Sequence, residues 1–578
     1  MKKYISLEFK LTKGDYHPKS LSKLSLMEQR KINEGNIIYI YLGKNNVYIG
    51  QTKHFLIRNK QHFDEDDGNN RFKNGEYERV IVAFGSLVTQ GSLDDIERKL
   101  ITYITADRES RITQRRKVNF KIDNGTRGNI VYEPYEKQKD VDCDFIKPFW
   151  EELFEKKYVV HKDLSQIKTS LLFKYSPFFV LSKEQQEILD RLVEESGRNV
   201  VYGMAGTGKT VIITNLAARL SKLHPNKSIA VVGKTNWIKS GQEIFEAYGA
   251  LNVTISTAYQ LIKSGKKYDY ILVDEAHRLR QYYSKGQHTV MDIFRDEAGN
   301  YSNKKNELDF LLDLSENVTI FYDPSQSIRP GDIPYPKFQD MIMDFKRYDL
   351  TTEYRINVSD KGARYSGDDF IKGILSFLQI HQFEFNKELF SVYTKRPTED
   401  SYFGIVESVY ELFEYLEYME NFDSATRASN RVVAGYARPW ISHMKKNKGL
   451  NKKDWVEGKY GWCWNSTNEN WLARKNSRNE IGSIHAVQGI DLSYVGVIIA
   501  NDISITENGK IVAVIENYKD TNGIPKKDDL ENGPYGEYIN TYIKNIYYTL
   551  LTRGIKGIRV YFENKELEKY FKEFMGIK

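Results

Sequence analysis

The 578-residue chain has only two cysteines, Cys143 and Cys463. Two thiols exclude a disulfide scaffold or a multi-cysteine zinc site and fit a reducing compartment. Proline is scarce, at 13 residues, and no low-complexity tract is present, which argues against extensive disorder. No run of 18 apolar residues occurs, so no membrane span and no membrane partner are expected. The opening MKKYISLEFKLTKGDY has lysines but no apolar core or cleavage site; no signal peptide is expected, and the cytoplasm is the expected location. At about 150 residues per domain, the length predicts three to four domains.

What is present is unevenly placed. Residues 1–130 hold 24 Lys and Arg against 16 Asp and Glu, while the rest holds 61 against 62. The net charge of +7 therefore comes from the first quarter. A basic module on a neutral body points to a polyanionic partner, although a solvated lysine-rich surface gives the same count.

Within residues 36–130, two short β runs, NIIYIYL and VYIGQT, flank the turn GKNN, and helical patterns follow near 54–63 and 92–106. Residues 131–180 form an aromatic connector, expected to be partly helical and packed onto the region C-terminal to it. From 181 onward, apolar strands alternate with amphipathic helices: NVVYGM, SIAVVGK, YDYILVDEA, NVTIFYD, RVVAGY, YVGVIIAND and GIRVYFE. That alternation predicts α/β architecture with parallel sheets, and seven strands suffice for two of them. Polar stretches near 281–308, 445–475 and 503–540 are expected to be surface inserts.

The strongest motif is Gly203-Met204-Ala205-Gly206-Thr207-Gly208-Lys209-Thr210, between the strand NVVY and the helix VIITNLAARL. Gly203, Gly206 and Gly208 let backbone N–H groups and the helix N-terminus face phosphate oxygens. Lys209 is expected to reach the β- and γ-phosphates of ATP, and Thr210 to hold Mg2+. The buried run Tyr270–Val273 ends in Asp274 and Glu275. Two carboxylates at a strand's end suit a metal held through Asp274 and a water polarised by Glu275.

Residues 181–578 resemble the superfamily 1 helicase core, and most of all the bacterial family related to the Schlafen helicase domain. The resemblance implies two RecA-like domains, 181–345 and 346–578. Leu181-Ser182-Lys183-Glu184-Gln185 resembles the Q motif, which implies that Gln185 reads the adenine edge. Asp323-Pro324-Ser325-Gln326 resembles motif III, with Gln326 sensing the γ-phosphate. Glu353-Tyr354-Arg355 resembles motif IV, whose arginine would approach from the second domain. Residues 483–491 (SIHAVQGID) resemble motif V, and Leu551-Thr552-Arg553-Gly554 resembles motif VI with Arg553 as a second arginine finger. Motif Ia is reduced to Gly233-Lys234-Thr235-Asn236, beside Trp237, which is either a base-stacking ring or core.

In the N-terminal module, pairing of Leu42 with Val47 would set Tyr41 opposite Tyr48 and Tyr39 opposite Gly50. Arg58 and His62 share a helical face, and Glu97 lies in a second amphipathic helix. Phenols, an arginine, a histidine and a carboxylate suit phosphodiester hydrolysis: Glu97 holding a divalent ion, a Tyr–His pair deprotonating water, Arg58 stabilising developing charge. The segment resembles the GIY-YIG nuclease family. Tyr48-Ile49-Gly50, Arg58, His62, Glu97 and Asn119 fall where that resemblance implies site residues, with Mg2+ or Mn2+ as metal. Tyr39 is favoured over Tyr41 as first catalytic tyrosine, and Asn119 competes with Asn124. An aromatic hairpin core is the plain alternative. His54 and His62 lack partners at zinc spacing, and the acidic cluster 64–67 lacks an EF-hand pattern.

The expected function is an ATP-dependent nuclease–helicase acting on foreign nucleic acid, DNA before RNA, in antiviral defence. An ATP-gated sensor, a helicase with an inert nuclease-like clamp, and a host DNA repair nuclease are the alternatives. Protein partners or self-assembly remain open. The expected domains are 1–130, a connector 131–180, 181–345 and 346–578.

Overall fold

The computed structural model describes residues 3–11, 21–44, 46–64, 72, 74–113, 121–122, 137–164, 167, 181–247, 250–283, 290–356, 365–391, 401–442, 452–468, 471–474, 476–520, 523–524 and 535–577. The chain divides into two compact units: Met1–Glu194, Thr210–Ile229 and Trp237–Ile255 in one, and Glu195–Lys209, Ala230–Asn236 and Ser256–Lys578 in the other. Among the described residues no helix is long and apolar enough to cross a membrane.

The first unit begins with a five-stranded sheet. Its strands are β1 (Tyr4–Lys10), β2 (Ile37–Gly43), β3 (Asn46–Thr52), β4 (Tyr77–Gly85) and β5 (Lys121–Ile122), in the order β1-β4-β2-β3-β5. β2 pairs antiparallel with β3 in the register the turn dictates: Tyr39 opposite Gly50, Tyr41 opposite Tyr48, Leu42 opposite Val47. Side chains alternate across a strand, so Tyr39 and Tyr41 share one face. There they join Tyr48, Phe55, Phe72, Tyr77, Val80 and Val82 in one buried cluster. The helix Phe55–Asp64 follows β3, and the helix Leu93–Thr113 follows β4.

The connector packs differently from expectation. The helix Lys147–Glu155 buries Phe149, Trp150 and Leu153, and it does so against the preceding module. Tyr4 meets Phe145 and Phe149 edge to face, and Tyr103 meets Trp150. The Tyr4 hydroxyl donates to Glu152 at 3.0 Å, and the Tyr158 hydroxyl to Glu8 at 2.7 Å. Asp107, buried on the helix Leu93–Thr113, accepts from the backbone N–H groups of Val160 and His161. Residues 137–164 thus complete the first module's core, because β1 and the long helix present apolar surface that this segment covers. The expected end at 130 falls too early.

The second unit has two sheets. One sets β11 (Lys346–Leu350), β6 (Arg198–Gly203), β10 (Asn317–Tyr322) and β9 (Tyr270–Val273) side by side and in parallel, with β7 (Ile229–Val232) next to β9; β8 (Val253–Ser256) falls in the first unit up to Ile255. β11 belongs here because it pairs with β6, so the first sheet runs past the expected boundary at 345. The seven-stranded sheet contains β12 (Phe403–Val406), β13 (Arg431–Ala434), β14 (Trp455–Glu457), β15 (Tyr460–Trp464), β16 (Glu480–Ser483), β17 (Leu492–Ile499) and β20 (Gly554–Phe562). Its order is β12-β20-β17-β13-β16-β15-β14, parallel apart from the β14/β15 hairpin. A short hairpin, β18 (Ile503–Ile505) with β19 (Ile511–Ala513), lies in the insert after β17. The fold is mixed α/β with largely parallel sheets in the second unit.

Trp150 is fully buried and its indole N–H donates to the His161 carbonyl at 2.8 Å. Trp150→Ala is expected to cost about 3–5 kcal/mol, read as a fall in the urea midpoint of the N-terminal module. An unmoved midpoint would mean that 137–164 are not part of that core.

Candidate functional site

Two sites emerge, one in each unit. In the first, β2, β3 and the two helices bring Tyr39, Tyr48, Arg58, His62 and Glu97 together. The Tyr39 hydroxyl and His62 Nε2 are 3.1 Å apart. The Tyr39 and Tyr48 rings stack with centroids 6.3 Å apart, and His62 stands edge-on to Tyr48 at 5.0 Å. The Arg58 guanidinium lies beside both phenols. Tyr41 takes a different partner, donating to Asn59 Oδ1. Of the two candidate tyrosines, Tyr39 is the one joined to His62.

Gly50 has a steric reason here: a β-carbon on it would run into the Tyr39 ring and hydroxyl. Tyr39 and His62 are each about 1% exposed, so only the half-buried Arg58 and Glu97 reach the surface. Burial and the neighbouring Tyr48 raise the Tyr39 pKa well above a free phenol's, against the pull of Arg58. Tyr39 therefore keeps its proton near neutral pH. Glu97 accepts from the Gln51 amide at 3.1 Å, and that amide also donates to Asp94. Burial, aided by Asp94, pushes the Glu97 carboxyl up to about 7. A carboxylate penalised in this way fits a divalent cation, which restores its ionised form. Asn59, Gln51 and Asp94 were not singled out by sequence; their signal is only adjacency to Arg58, Gly50 and Glu97. Asn119 and Asn124 lie outside the described residues.

In the second unit, Gly206 and Gly208 adopt positive φ, +85° and +83°, as the loop's curl demands. A β-carbon on Gly206 would strike the Glu353 carboxylate, whose neighbour Tyr354 donates its N–H to the Gly206 carbonyl at 3.1 Å. Lys209 folds back on its own loop: its ammonium donates to the Gly203 and Met204 carbonyls at 2.5 and 2.9 Å and stands 3.8 Å from Asp323. Burial lowers its pKa, against Asp323 and Glu275. Thr210, next in the chain, belongs to the first unit.

Asp274 and Glu275 follow β9. Glu275 has φ +53° and ψ +47°, a left-handed backbone that costs about 1–3 kcal/mol and is common at working sites. Its carboxylate is 2.9 Å from both Lys234 Nζ and His277 Nε2. Burial alone would raise its pKa, but Lys234 and His277 hold it well below the ordinary carboxylate range. Asp274 moves upward, through burial and then Glu275. Lys234 falls to about 8, through burial opposed by Glu275. Lys234 also donates to the Gln488 carbonyl at 3.3 Å, and a β-carbon on Gly489 would collide with it. The reduced motif Ia thus supplies a cation for the Glu275 carboxylate, a pairing its sequence did not announce. Trp237, at 2% exposure, is core.

Gln326 links Asp323 to Arg553: its amide donates to Asp323 at 2.7 Å, and its carbonyl oxygen accepts from Arg553 at 3.2 Å. Arg553 is buried, and burial together with Arg355 lowers its pKa to about 10. Arg355 pairs with Asp491 at 3.1 Å and donates to the Thr552 carbonyl at 3.0 Å. It follows directly after β11, so the first sheet carries it, contrary to the expected origin in the second domain. Gln185, in the first unit, exchanges hydrogen bonds with Ser182 at the start of the helix Lys183–Glu194, the reciprocal cap of an S-x-x-Q sequence.

Gly50→Ala is expected to cost roughly 1–3 kcal/mol through overpacking against Tyr39. The check is its unfolding midpoint beside that of Gly91→Ala, whose β-carbon would meet open space; equal midpoints would contradict it.

Residues 198–564 match the family described as Schlafen group 3, DNA/RNA helicase domain. An uncharacterised protein of Saccharomyces cerevisiae is 24% identical over 445 residues, covering 67% of this chain and 90% of its own length. Among solved structures, the Pif1 helicase of Candida albicans is 13% identical, with a TM-score of 0.30, and covers 68% of this chain and 99% of that one. Arterivirus nonstructural protein 10, a helicase, is 11% identical with a TM-score of 0.29, and covers 67% of this chain and 64% of that one. With the matched span taking in more than half of its residues, the chain belongs to the Schlafen group 3 helicase-domain family.

Proposed function

We propose that the chain is an ATP-driven nucleic-acid enzyme whose N-terminal module cleaves phosphodiesters. One observation carries the ATP reading: the unbroken polar chain Lys209–Asp323–Gln326–Arg553, with Arg355 on Asp491 beside it. Triphosphate arriving at the loop offers Lys209 a stronger partner than two carbonyls. Asp323 and Gln326 then re-pair, and Arg553 and Arg355 gain an anion to face. Lys209 and Arg355 neutralise the phosphates, and Glu275 takes the proton of the attacking water. Mg2+, for which Asp274 is the expected holder, would supply charge neutralisation on the transferred phosphoryl group.

The second activity rests on the convergence of Tyr39, Tyr48, Arg58, His62 and Glu97. A divalent ion on Glu97 would supply Lewis acidity at the scissile phosphate. Arg58 stabilises the developing charge. Tyr39, still protonated, relays the water's proton to His62. The basic first quarter suits a polyanionic substrate, DNA ahead of RNA. Restriction of foreign nucleic acid in antiviral defence is the role in keeping with a nuclease and an ATPase on one chain.

Lys209→Ala and Arg553→Ala are each expected to lower ATP turnover by about 10³-fold or more, measured as phosphate release. Cleavage of paired DNA and RNA substrates, with Mg2+ or Mn2+ and with or without ATP, tests the nuclease. Wild type is expected to cut, and Glu97→Ala to be silent while still hydrolysing ATP. A wild type that hydrolyses ATP yet cuts nothing would leave the N-terminal module a binding clamp.

A further inference from the structure

The helix Tyr535–Leu551, which runs into Arg553, carries two adjacent tyrosines, Tyr547 and Tyr548. At 3.6 residues per turn, neighbours point about 100° apart, so the two phenols enter different surroundings. Both are fully buried. A buried hydroxyl has a proton to donate as well as lone pairs that accept, and a donor left unused there is costly. Tyr547 spends both: its O–H donates to Asp502, and its oxygen accepts from the Ala500 N–H at 3.1 Å. Tyr548 spends one. Its oxygen accepts from the Ala205 N–H of the glycine-rich loop at 3.1 Å, and its O–H has no acceptor among the described residues.

The surroundings of Tyr548 define what that acceptor must be. Burial, and then Asp323, raise its pKa well above a free phenol's, against the Ala205 N–H, Arg355 and Arg553. The hydroxyl therefore keeps its proton and remains a donor near neutral pH. A spot reached by two guanidiniums and an O–H suits an anion, which accepts from all of them. The two arginines already oppose each other, since Arg355 helps burial lower the Arg553 pKa to about 10. A third cation would add to that repulsion, whereas a neutral hydroxyl adds a hydrogen bond without it. Three positions back and on the same helical face, Asn545 donates to the Ser327 carbonyl at 2.8 Å, just past Gln326. That face thus meets both the loop and the segment carrying Gln326.

We infer that the Tyr548 hydroxyl donates to the terminal phosphate of ATP, held in place by the Ala205 N–H, and sets a preference for tri- over diphosphate. That role rests on the ATP reading above and adds to it a neutral donor beside Lys209, Arg355 and Arg553. On that reading the two arginines face the terminal phosphate, and a diphosphate ends short of them. Loss of the terminal phosphate then leaves the buried O–H unpaired again, which favours the triphosphate over its product. Tyr547, one residue away, has no such part, because its proton is already committed to Asp502.

Fluorescence titration of the full chain, in Mg2+, with labelled ADP and with the labelled β,γ-imido analogue of ATP tests it. Tyr548→Phe keeps the ring and removes the hydroxyl. It is expected to bind the triphosphate analogue roughly 10- to 150-fold more weakly, as loss of one hydrogen bond to a charged group does. Its affinity for ADP is expected to stay at the wild-type value, which also shows that the variant is folded. Tyr547→Phe is expected to leave the ratio of the two affinities unchanged. A Tyr548→Phe protein that keeps the wild-type ratio, or that weakens both nucleotides equally, overturns the inference and leaves the ATP reading standing. So does a Tyr547→Phe protein whose ratio shifts as far. A wild type that binds neither nucleotide overturns both.

Discussion

A charge taken out of water must find a counter-charge, and the second unit is organised around that constraint. Lys209, Lys234, Asp274, Glu275, Asp323, Arg355, Asp491 and Arg553 crowd one region, largely shielded from solvent. Each makes do with what the protein offers. Lys209 turns to two carbonyls of its own loop, Glu275 sits between Lys234 and His277, and Arg355 settles on Asp491. These pairings suffice to fold, yet each is weaker than a phosphate would provide. On the function proposed, a nucleotide would act by changing partners, each exchange reaching a segment that belongs to a different motif. Gly206 and Gly489 fit the same logic, since a side chain at either would displace Glu353 or Lys234.

In the N-terminal module, core and candidate site are one cluster. Tyr39, Tyr48 and His62 are packed as core residues are, with Phe72 stacked on the His62 ring at 4.5 Å. That packing fixes the hydroxyl–imidazole contact without help from solvent, and on the function proposed Arg58 and Glu97 would be left to meet a substrate. The aromatic-core reading of the hairpin and the catalytic reading are therefore compatible. Preorganisation of this sort is what a phosphodiester site requires, because its groups must already face the developing charge.

Much of this was legible in the sequence, for identifiable reasons. The hairpin register followed from turn length, and all seven apolar runs from 199 to 562 became strands because fully buried parallel strands read as continuous hydrophobic runs. β11 and β16 escaped because KRYDL and EIGS are short and polar, and pairing rather than composition defines them. The connector packs toward the N-terminal module, opposite to expectation. Its aromatics announced burial but not against what, and only the contacts of Tyr4, Glu8 and Asp107 decide that. Pairings distant in sequence, such as Lys234 with Glu275 or Arg553 with Gln326, leave no local pattern.

The exchange of partners is the central claim, and hydrogen–deuterium exchange with a non-hydrolysable ATP analogue and Mg2+ tests it most directly. The account predicts that protection changes together in three separate segments: the loop 203–209, residues 484–491 and residues 545–553. A change confined to the loop, with the other two segments exchanging as in the free protein, would contradict it.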